Sequence, residues 1–167
     1  MKPALFIDRD GTLNKDCPYC KDENEIVPYE DIFEPLKRLS DRYYIIIVTN
    51  QSGVGRGYFT LVNLERMNAK IKCLIEMHGG KVDGIYYCPH VPEDNCECRK
   101  PKTGLVQKAL INFNIDMAKS FVIGDDDNDM ELAKKLGIKS IRVRVRGYVE
   151  GDYFAEDFYR VLTILKW

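Results

Sequence analysis

A-L-F-I-D-R-D-G-T-L-N, residues 4–14, decides the fold. Residues 4–7 form an apolar, β-rich run, and the chain passes from them directly into acid, base, acid and glycine. That reads as a strand ending in a polar turn. Further runs of this character occupy residues 43–48, 85–87, 121–123 and 141–145. Helical patterns lie between them. The strongest follows Thr60, where Leu61, Leu64, Met67, Ile71, Leu74 and Ile75 recur at helical spacing, with Thr60 as N-cap and Gly79 as stop. Cys73 within it is expected in the core. Residues 31–40, 103–113, 129–136 and 155–165 carry weaker helical patterns. Strands alternating with helices predict an α/β fold with a Rossmann-like, largely parallel sheet and helices on both faces.

With 167 residues, 45% of them hydrophobic, the chain is long enough for one sizeable core and too short for two ordinary domains. Residues 1–167 are therefore expected to form a single domain. Lys and Arg number 25 against 26 Asp and Glu, so no overall field favours nucleic acid or an anionic membrane, and a small-molecule partner is favoured. The opening M-K-P-A-L-F-I-D reaches a charge before an apolar signal region can form, and run 43–48 is too short to span a bilayer. A soluble, cytoplasmic protein is expected. Six cysteines in such a chain point to thiolate chemistry or metal binding before a disulfide framework.

Ligands of open α/β sheets bind beyond the carboxyl ends of the strands, so polar residues there are the candidates for chemistry. Asp8 and Asp10 alternate with Arg9 and project toward the same side. Two converging carboxylates need a hard cation such as magnesium, or a proton kept on one of them; a solvated turn is the alternative. V-T-N-Q-S-G, residues 48–53, offers a hydroxyl and amides to an anionic oxygen. The G-V-G-R-G at 53–57 fits neither dinucleotide nor P-loop spacing and reads as a loop, from which Arg56 could reach an anionic substrate. C-R-K-P-K-T-G, residues 98–104, brings Arg99 and Lys100 as partners for phosphate oxygens, with Pro101 opening the next helix. Behind the apolar run 121–123, Asp125, Asp126, Asp127 and Asp129 form a candidate cation site, although helix N-terminal charge accounts for one or two of them.

These four clusters, in this order, resemble the haloacid dehalogenase superfamily of phosphatases, over most of the chain. The pattern D-x-D-G-T, a strand-end Thr, a Lys and a terminal G-D-x-x-x-D is matched by Asp8, Asp10 and Thr12, by Thr49, by Lys100, and by Asp125 with Asp129. The resemblance implies that Asp8 is the nucleophile of an aspartyl-phosphate route and that Asp10 protonates the leaving oxygen, then activates water. It further implies magnesium held by Asp8, the backbone carbonyl of Asp10 and Asp125, with Thr49 and Lys100 stabilising charge on the phosphoryl oxygens and Asp129 in support.

C-P-H-V-P-E-D-N-C-E-C, residues 88–98, holds the donor pairs Cys88/His90 and Cys96/Cys98. Thiolates and imidazole suit tetrahedral zinc, and four protein ligands leave no open position, so a structural zinc loop is expected just ahead of Arg99 and Lys100. Unliganded thiols beside a surface histidine are the alternative. With this box, the resemblance narrows to the histidinol-phosphate and heptose 1,7-bisphosphate phosphatases. Asn14, Asp16 and Tyr19 of an N-x-D-x-x-Y segment, and T-N-Q-S-G-V-G-R-G-Y-F-T at 49–60, are more similar to the heptose enzymes. A sugar bisphosphate substrate is implied, with histidinol phosphate as the second choice. The resemblance places residues 16–19, Thr49, Asn50, Gln51, Ser52, Arg99 and Lys100 along the substrate site. Three positions depart from the pattern: Asp126 where a basic residue is usual, Thr103 for a proline, and Pro18 for a glycine. Asp126 is expected to repel a substrate phosphate. The 41 positions from Asp8 to Thr49 leave no room for a separate cap domain, so loops must exclude water.

Cys17-Pro18-Tyr19-Cys20 resembles the glutaredoxin dithiol, but it trails a strand instead of opening a helix. It reads as a substrate loop whose two thiols could close a disulfide. His78 is expected at the surface or as a helix cap. Arg142, Arg144 and Arg146 alternate and are expected to protect an edge strand. A catalytically silent, zinc-stabilised module that binds nucleic acid through these arginines is the alternative of another class; near-neutral charge and the complete acidic set weigh against it.

Overall fold

Strand β1, Ala4–Ile7, has no exposed surface at any of its four residues, as a central strand of a covered sheet requires. The computed structural model describes residues 1–144 and 150–166. After β1 come α1 (Phe33–Leu39), β2 (Tyr44–Asn50), α2 (Leu61–Met77), β3 (Gly84–Cys88) and α3 (Gly104–Asn112). Then follow β4 (Phe121–Gly124), α4 (Asp127–Leu136), β5 (Lys139–Val143), β6 (Tyr153–Ala155) and α5 (Phe158–Ile164). The sheet order is β3-β2-β1-β4-β5-β6, and each neighbouring pair is parallel.

The chain winds outward from β1 through β2 to β3, returns to β4 on the other side of β1, and winds outward again. Strand order therefore reverses between β1 and β4, and the carboxyl ends there open a crevice with no connection across it. Leu5, Ile7, Ile45 and Ile47 face a core closed by α1, α2 and α5, whereas Ala4, Phe6, Ile46 and Val48 face α3 and α4. The expected parallel sheet with helices on both faces is thus present, and only loops and short turns overlie the crevice among the described residues.

Thr60 caps α2 as expected: its hydroxyl accepts from the Asn63 amide at 3.2 Å, and Asn63 reaches back to the Thr60 amide at 2.9 Å. Beyond the helix, Gly79 takes φ +85°, a left-handed conformation natural to glycine. His78 is a cap, its Nδ1 lying 2.7 Å from the Leu74 carbonyl while its ring stacks on Phe33. Cys73 is exposed, not buried, because the inward stripe of α2 runs through Leu64, Met67, Ile71 and Ile75 and leaves position 73 on the far side. Pro101 does not open α3, which starts at Gly104 after a turn.

The C-terminal region corrects three further expectations. Residues 155–165 are not one helix: Ala155 ends β6, and α5 begins after Asp157, whose carboxylate accepts from the Arg160 amide at 2.8 Å. Strand β5 is not an edge, since β6 pairs with it. Arg142 is buried and paired with Asp127, while Arg144 donates to the Thr12 carbonyl and to Asp31 at 3.0 Å each. These arginines tie elements together and do not form a guard. Val145 and Arg146 lie outside the described residues.

Candidate active site

Asp8 follows β1 directly, and Lys100 reaches it from the turn after the cysteine segment, 92 positions away, with Nζ–Oδ1 at 2.7 Å. The same Nζ donates to Asp129 Oδ1, also at 2.7 Å. Burial works against the ammonium, but the charges of Asp129 and Asp8 outweigh it and keep Lys100 protonated beyond its ordinary range. Burial pushes Asp8 upward, with Lys100 opposing, and lifts the fully buried Asp129 well above the carboxylate range.

Asp10 is held by a different set of groups. Arg9 grips both its oxygens, Nε–Oδ1 at 3.1 Å and a terminal nitrogen to Oδ2 at 3.0 Å. Asn14 donates to Oδ1 at 2.9 Å and Gln51 to Oδ2 at 2.7 Å. Burial pushes the Asp10 carboxyl up, yet the charge and hydrogen bonds of Arg9, with those of Asn14 and Gln51, pull it below its ordinary value. Of the paired carboxyls, Asp10 is the one whose neighbours favour ionisation more strongly.

Arg9 alternates with the two aspartates and turns inward until only 1% of it is exposed, where it donates to Asn68 Oδ1 on α2 at 2.8 Å. Replacing Asn68 by Leu leaves this guanidinium nitrogen buried without an acceptor. The expected results are a stability loss of about 2 kcal/mol in urea unfolding and, as Arg9 lets Asp10 shift, a kcat roughly tenfold lower at little-changed KM. Asn68 escaped the sequence reading, although a polar residue between Leu64 and Ile71 on an inward stripe is a visible signal.

From β4, Asp125 receives the Thr12 hydroxyl at 3.0 Å. A Cβ at Gly11, which has φ +76°, would collide with the Asp125 carboxylate, so glycine there permits the β1 and β4 ends to converge. Burial first, then the charge of Asp8, pushes Asp125 up to about 6. Carboxylate oxygens of Asp8, Asp125 and Asp129 lie within 4.8 Å of one another. Lys100 covers Asp129 and one oxygen of Asp8, which leaves Asp8 and Asp125 as a hard, anionic pair suited to magnesium. The Asp126 carboxylate lines the cavity and also caps α4, accepting from the amides of Asn128 at 2.8 Å and Asp129 at 3.2 Å, while its charge helps raise the neighbouring Asp8, Asp125 and Asp129 carboxyls.

Asp8, Asp10, Lys100, Asp125 and Asp126 line a cavity of about 510 Å³ together with Asp16, Cys17, Pro18, Tyr19, Thr49, Asn50, Gln51, Ser52 and Arg99. Of the substrate-binding candidates, Arg56 is left out; it is exposed on its loop and does not line the cavity, and of the acidic cluster Asp127 turns away to pair with Arg142. Gln51 also donates to the Thr49 hydroxyl at 3.0 Å. Asn50 brackets Lys100, accepting from its amide at 2.9 Å and donating to its carbonyl at 3.1 Å. The amides of Asn50 and Gln51 thus orient Lys100, Thr49 and Asp10. Phe59 and Asn128 also line the cavity and were not singled out from the sequence, since neither carries charge and each fills an unassigned position inside a longer motif.

Beside the cavity, Cys88 Sγ lies 3.5 Å from His90 Nδ1 and 3.5 Å from Cys96 Sγ, while Cys98 Sγ lies 3.3 Å from His90 Nδ1 and 3.5 Å from Cys96 Sγ. A regular tetrahedron with edges of this length has its centre about 2.1 Å from each corner, close to zinc–nitrogen and zinc–sulfur distances. Burial raises the Cys88 and Cys98 thiols. It also opposes ionisation of Cys96, but the Arg99 amide and the neighbouring thiols bring that group down to about 6. The donor set fits a closed zinc site.

A HAD-hydrolase-like family model matches residues 97–156. A Thermoplasma acidophilum protein named "Probable D-glycero-D-manno-heptose-1,7-bisphosphate 7-phosphatase" is 47% identical over 137 residues, 81% of this chain and 86% of the relative. The D-glycero-beta-D-manno-heptose-1,7-bisphosphate 7-phosphatase of Haemophilus ducreyi is 42% identical over 87% of this chain and 84% of its own. The crystal structure of D,D-heptose 1,7-bisphosphate phosphatase from B. bronchiseptica, complexed with magnesium and phosphate, superposes with a TM-score of 0.88 at 30% identity, covering 99% and 98% of the two chains. The chain belongs to the haloacid dehalogenase superfamily of phosphatases. Within that superfamily it stands beside the heptose bisphosphate branch, and like its relatives this phosphatase acts on phosphate esters. Among its described residues no helix is long and apolar enough to cross a membrane.

Proposed function

We propose that this phosphatase hydrolyses a sugar bisphosphate related to D-glycero-D-manno-heptose 1,7-bisphosphate, acting as one domain and in the cytoplasm. The observation that carries the chemistry is the 2.7 Å contact of Lys100 with Asp8 at the strand-order reversal, beside an Asp10 held by Arg9, Asn14 and Gln51. Asp8 attacks phosphorus through one oxygen of its carboxylate, forming an aspartyl-phosphate while the sugar oxygen departs. Lys100 and the Thr49 hydroxyl balance charge on the phosphoryl oxygens. Asp10 supplies the proton to the leaving oxygen, having gained it once the phosphate is bound. It then takes a proton from the water that cleaves the intermediate. The ionised state favoured by its neighbours suits this second step.

Asp8, the Asp10 backbone carbonyl and Asp125 would hold magnesium, which supplies charge neutralisation for the phosphoryl group. Cys88, His90, Cys96 and Cys98 would hold structural zinc, and a site that needs three unoxidised cysteines supports a reducing compartment. Asp16, Tyr19, Ser52 and Arg99 are the residues left to meet the sugar and its second phosphate, since Asn50 and Gln51 are engaged with the catalytic groups.

Desalting into magnesium-free buffer, which leaves tightly held zinc in place, is expected to stop turnover and added magnesium to restore it, while circular dichroism stays unchanged; full turnover in the magnesium-free buffer would contradict the proposed magnesium site. Phosphate release measured side by side on heptose 1,7-bisphosphate and histidinol phosphate tests the substrate. A higher kcat/KM on histidinol phosphate would overturn the sugar bisphosphate reading and leave the chemistry standing.

A further inference from the structure

We propose that Cys17 and Cys20 form a reversible thiol–disulfide site that sets how firmly the substrate loop closes on the cavity; the proposal rests on the phosphatase reading of that cavity. The loop between β1 and α1 is pinned at its base. The Lys15 amide donates to the Val27 carbonyl at 2.8 Å, and the Tyr29 amide to the Leu13 carbonyl at 3.0 Å. Its returning half is anchored independently: Cys20 and Ile26 are buried in the core, and Lys70 of α2 donates to the Glu23 carbonyl at 2.7 Å.

Residues 16–19 form the outgoing half, and they hang over the cavity with Asp16, Pro18 and Tyr19 exposed. Cys17 packs against the edge of the core and approaches Glu25, and three further contacts tether this half to the rest. One is the Cys17–Cys20 disulfide, spanning 5.5 Å between Cα atoms. The second is a turn hydrogen bond from the Cys20 amide to the Cys17 carbonyl at 3.1 Å. The third is an edge-on contact of Tyr19 with Tyr58 of the loop ahead of α2, ring centroids 4.8 Å apart. Of these, the disulfide alone joins the free half covalently to a residue fixed in the core. Tyr19 holds φ +60°, a left-handed conformation costly for its side chain, which the closed ring maintains.

The two sulfurs are unequal in access. Cys20 is 3% exposed and Cys17 is half-buried at the cavity wall, so an external thiol meets Cys17 first. The thiolate of a dithiol attacks Cys17 Sγ, the Cys17–Cys20 bond breaks, and Cys20 leaves as a thiolate and takes a proton. The second thiol of the reagent then displaces Cys17. Two electrons and two protons pass from the dithiol to the protein, and the reagent departs as its own disulfide. Cytosolic disulfides of this accessible kind serve as sensors more often than as staples. Once the bond opens, residues 16–19 must be ordered anew at each substrate encounter. Recognition of a large sugar bisphosphate weakens, while attack at Asp8 on any ester already bound is untouched.

The test uses the full chain loaded with zinc and magnesium, equilibrated with oxidised or reduced dithiothreitol. It is assayed on heptose 1,7-bisphosphate and on the small ester p-nitrophenyl phosphate. Reduction is expected to raise the bisphosphate KM about tenfold, with kcat and p-nitrophenyl phosphate hydrolysis little changed, and reoxidation to restore it. Cys20→Ala should show the reduced KM under both treatments. Peptide mapping should find the Cys17–Cys20 bond only in the oxidised sample, with zinc content equal in both. One KM in both states, no bond after oxidation, a redox response that persists in Cys20→Ala, or loss of zinc on reduction would each overturn the proposal. No hydrolysis of any phosphomonoester in either state would instead overturn the phosphatase reading beneath it.

Discussion

Asp8→Asn is expected to lower phosphate release by at least about 10⁴-fold while leaving thermal unfolding near that of the wild type. The two halves of this expectation have separate physical origins. Asparagine fills the same volume and can still accept from Lys100, which keeps its second contact with Asp129 at 2.7 Å. Burial raises the Asp8 carboxyl above its ordinary value, so in the folded chain its ionised form is disfavoured relative to the unfolded chain, and removing the charge costs the fold little. Catalysis has no such reserve, because an amide is a poor nucleophile toward phosphorus and carries no charge for a cation. The measurement is magnesium-dependent phosphate release beside a thermal melt. Normal turnover by a folded Asp8→Asn chain would sink the covalent route through this residue.

Sequence patterns carried the reading of the sheet and the polar strand ends. An apolar run that stops in a polar residue is a local signal, and β1, β2 and β4 show it plainly. The crevice was legible for the same reason, since Asp8, Thr49, Lys100 and Asp125 each stand just beyond an element the chain itself marks. What was not legible depended on contacts between distant segments. Strand β6 is three residues long and owes its place to pairing with β5. Arg142 and Arg144 looked like a charged stripe because their partners Asp127 and Asp31 lie 15 and 113 positions away. Asp126 stands on the cavity wall as expected of a charge near the substrate, but its second role as the cap of α4 was not legible because it follows from where that helix begins. Asn50 and Gln51 do line the cavity, but motif membership did not reveal that their amides also brace Lys100 and Asp10.

Loss of one proposed zinc ligand is expected to disable the enzyme from outside its cavity. Cys96 is the most informative position, because it is less buried than Cys88 and Cys98, so Cys96→Ser removes a donor without cutting into the core. Zinc content should fall well below one per chain. With the loop over residues 88–98 released, stability should drop by roughly 3 kcal/mol, seen as a melting temperature roughly 10 °C lower. Turnover should fall between about tenfold and a hundredfold, because Arg99 and Lys100 directly follow the fourth donor. The fall should stop short of that for Asp8→Asn, since Asn50 still brackets the Lys100 backbone through two hydrogen bonds. Glu97→Gln is the control: it lies between two ligands, its side chain is 89% exposed, and it should keep both metal and activity. Elemental analysis, a thermal melt and phosphate release on the same preparations decide the matter. Cys96→Ser chains that keep zinc and melt like the wild type would overturn the site. Chains that lose zinc yet turn over normally would show that Asn50 alone positions Lys100.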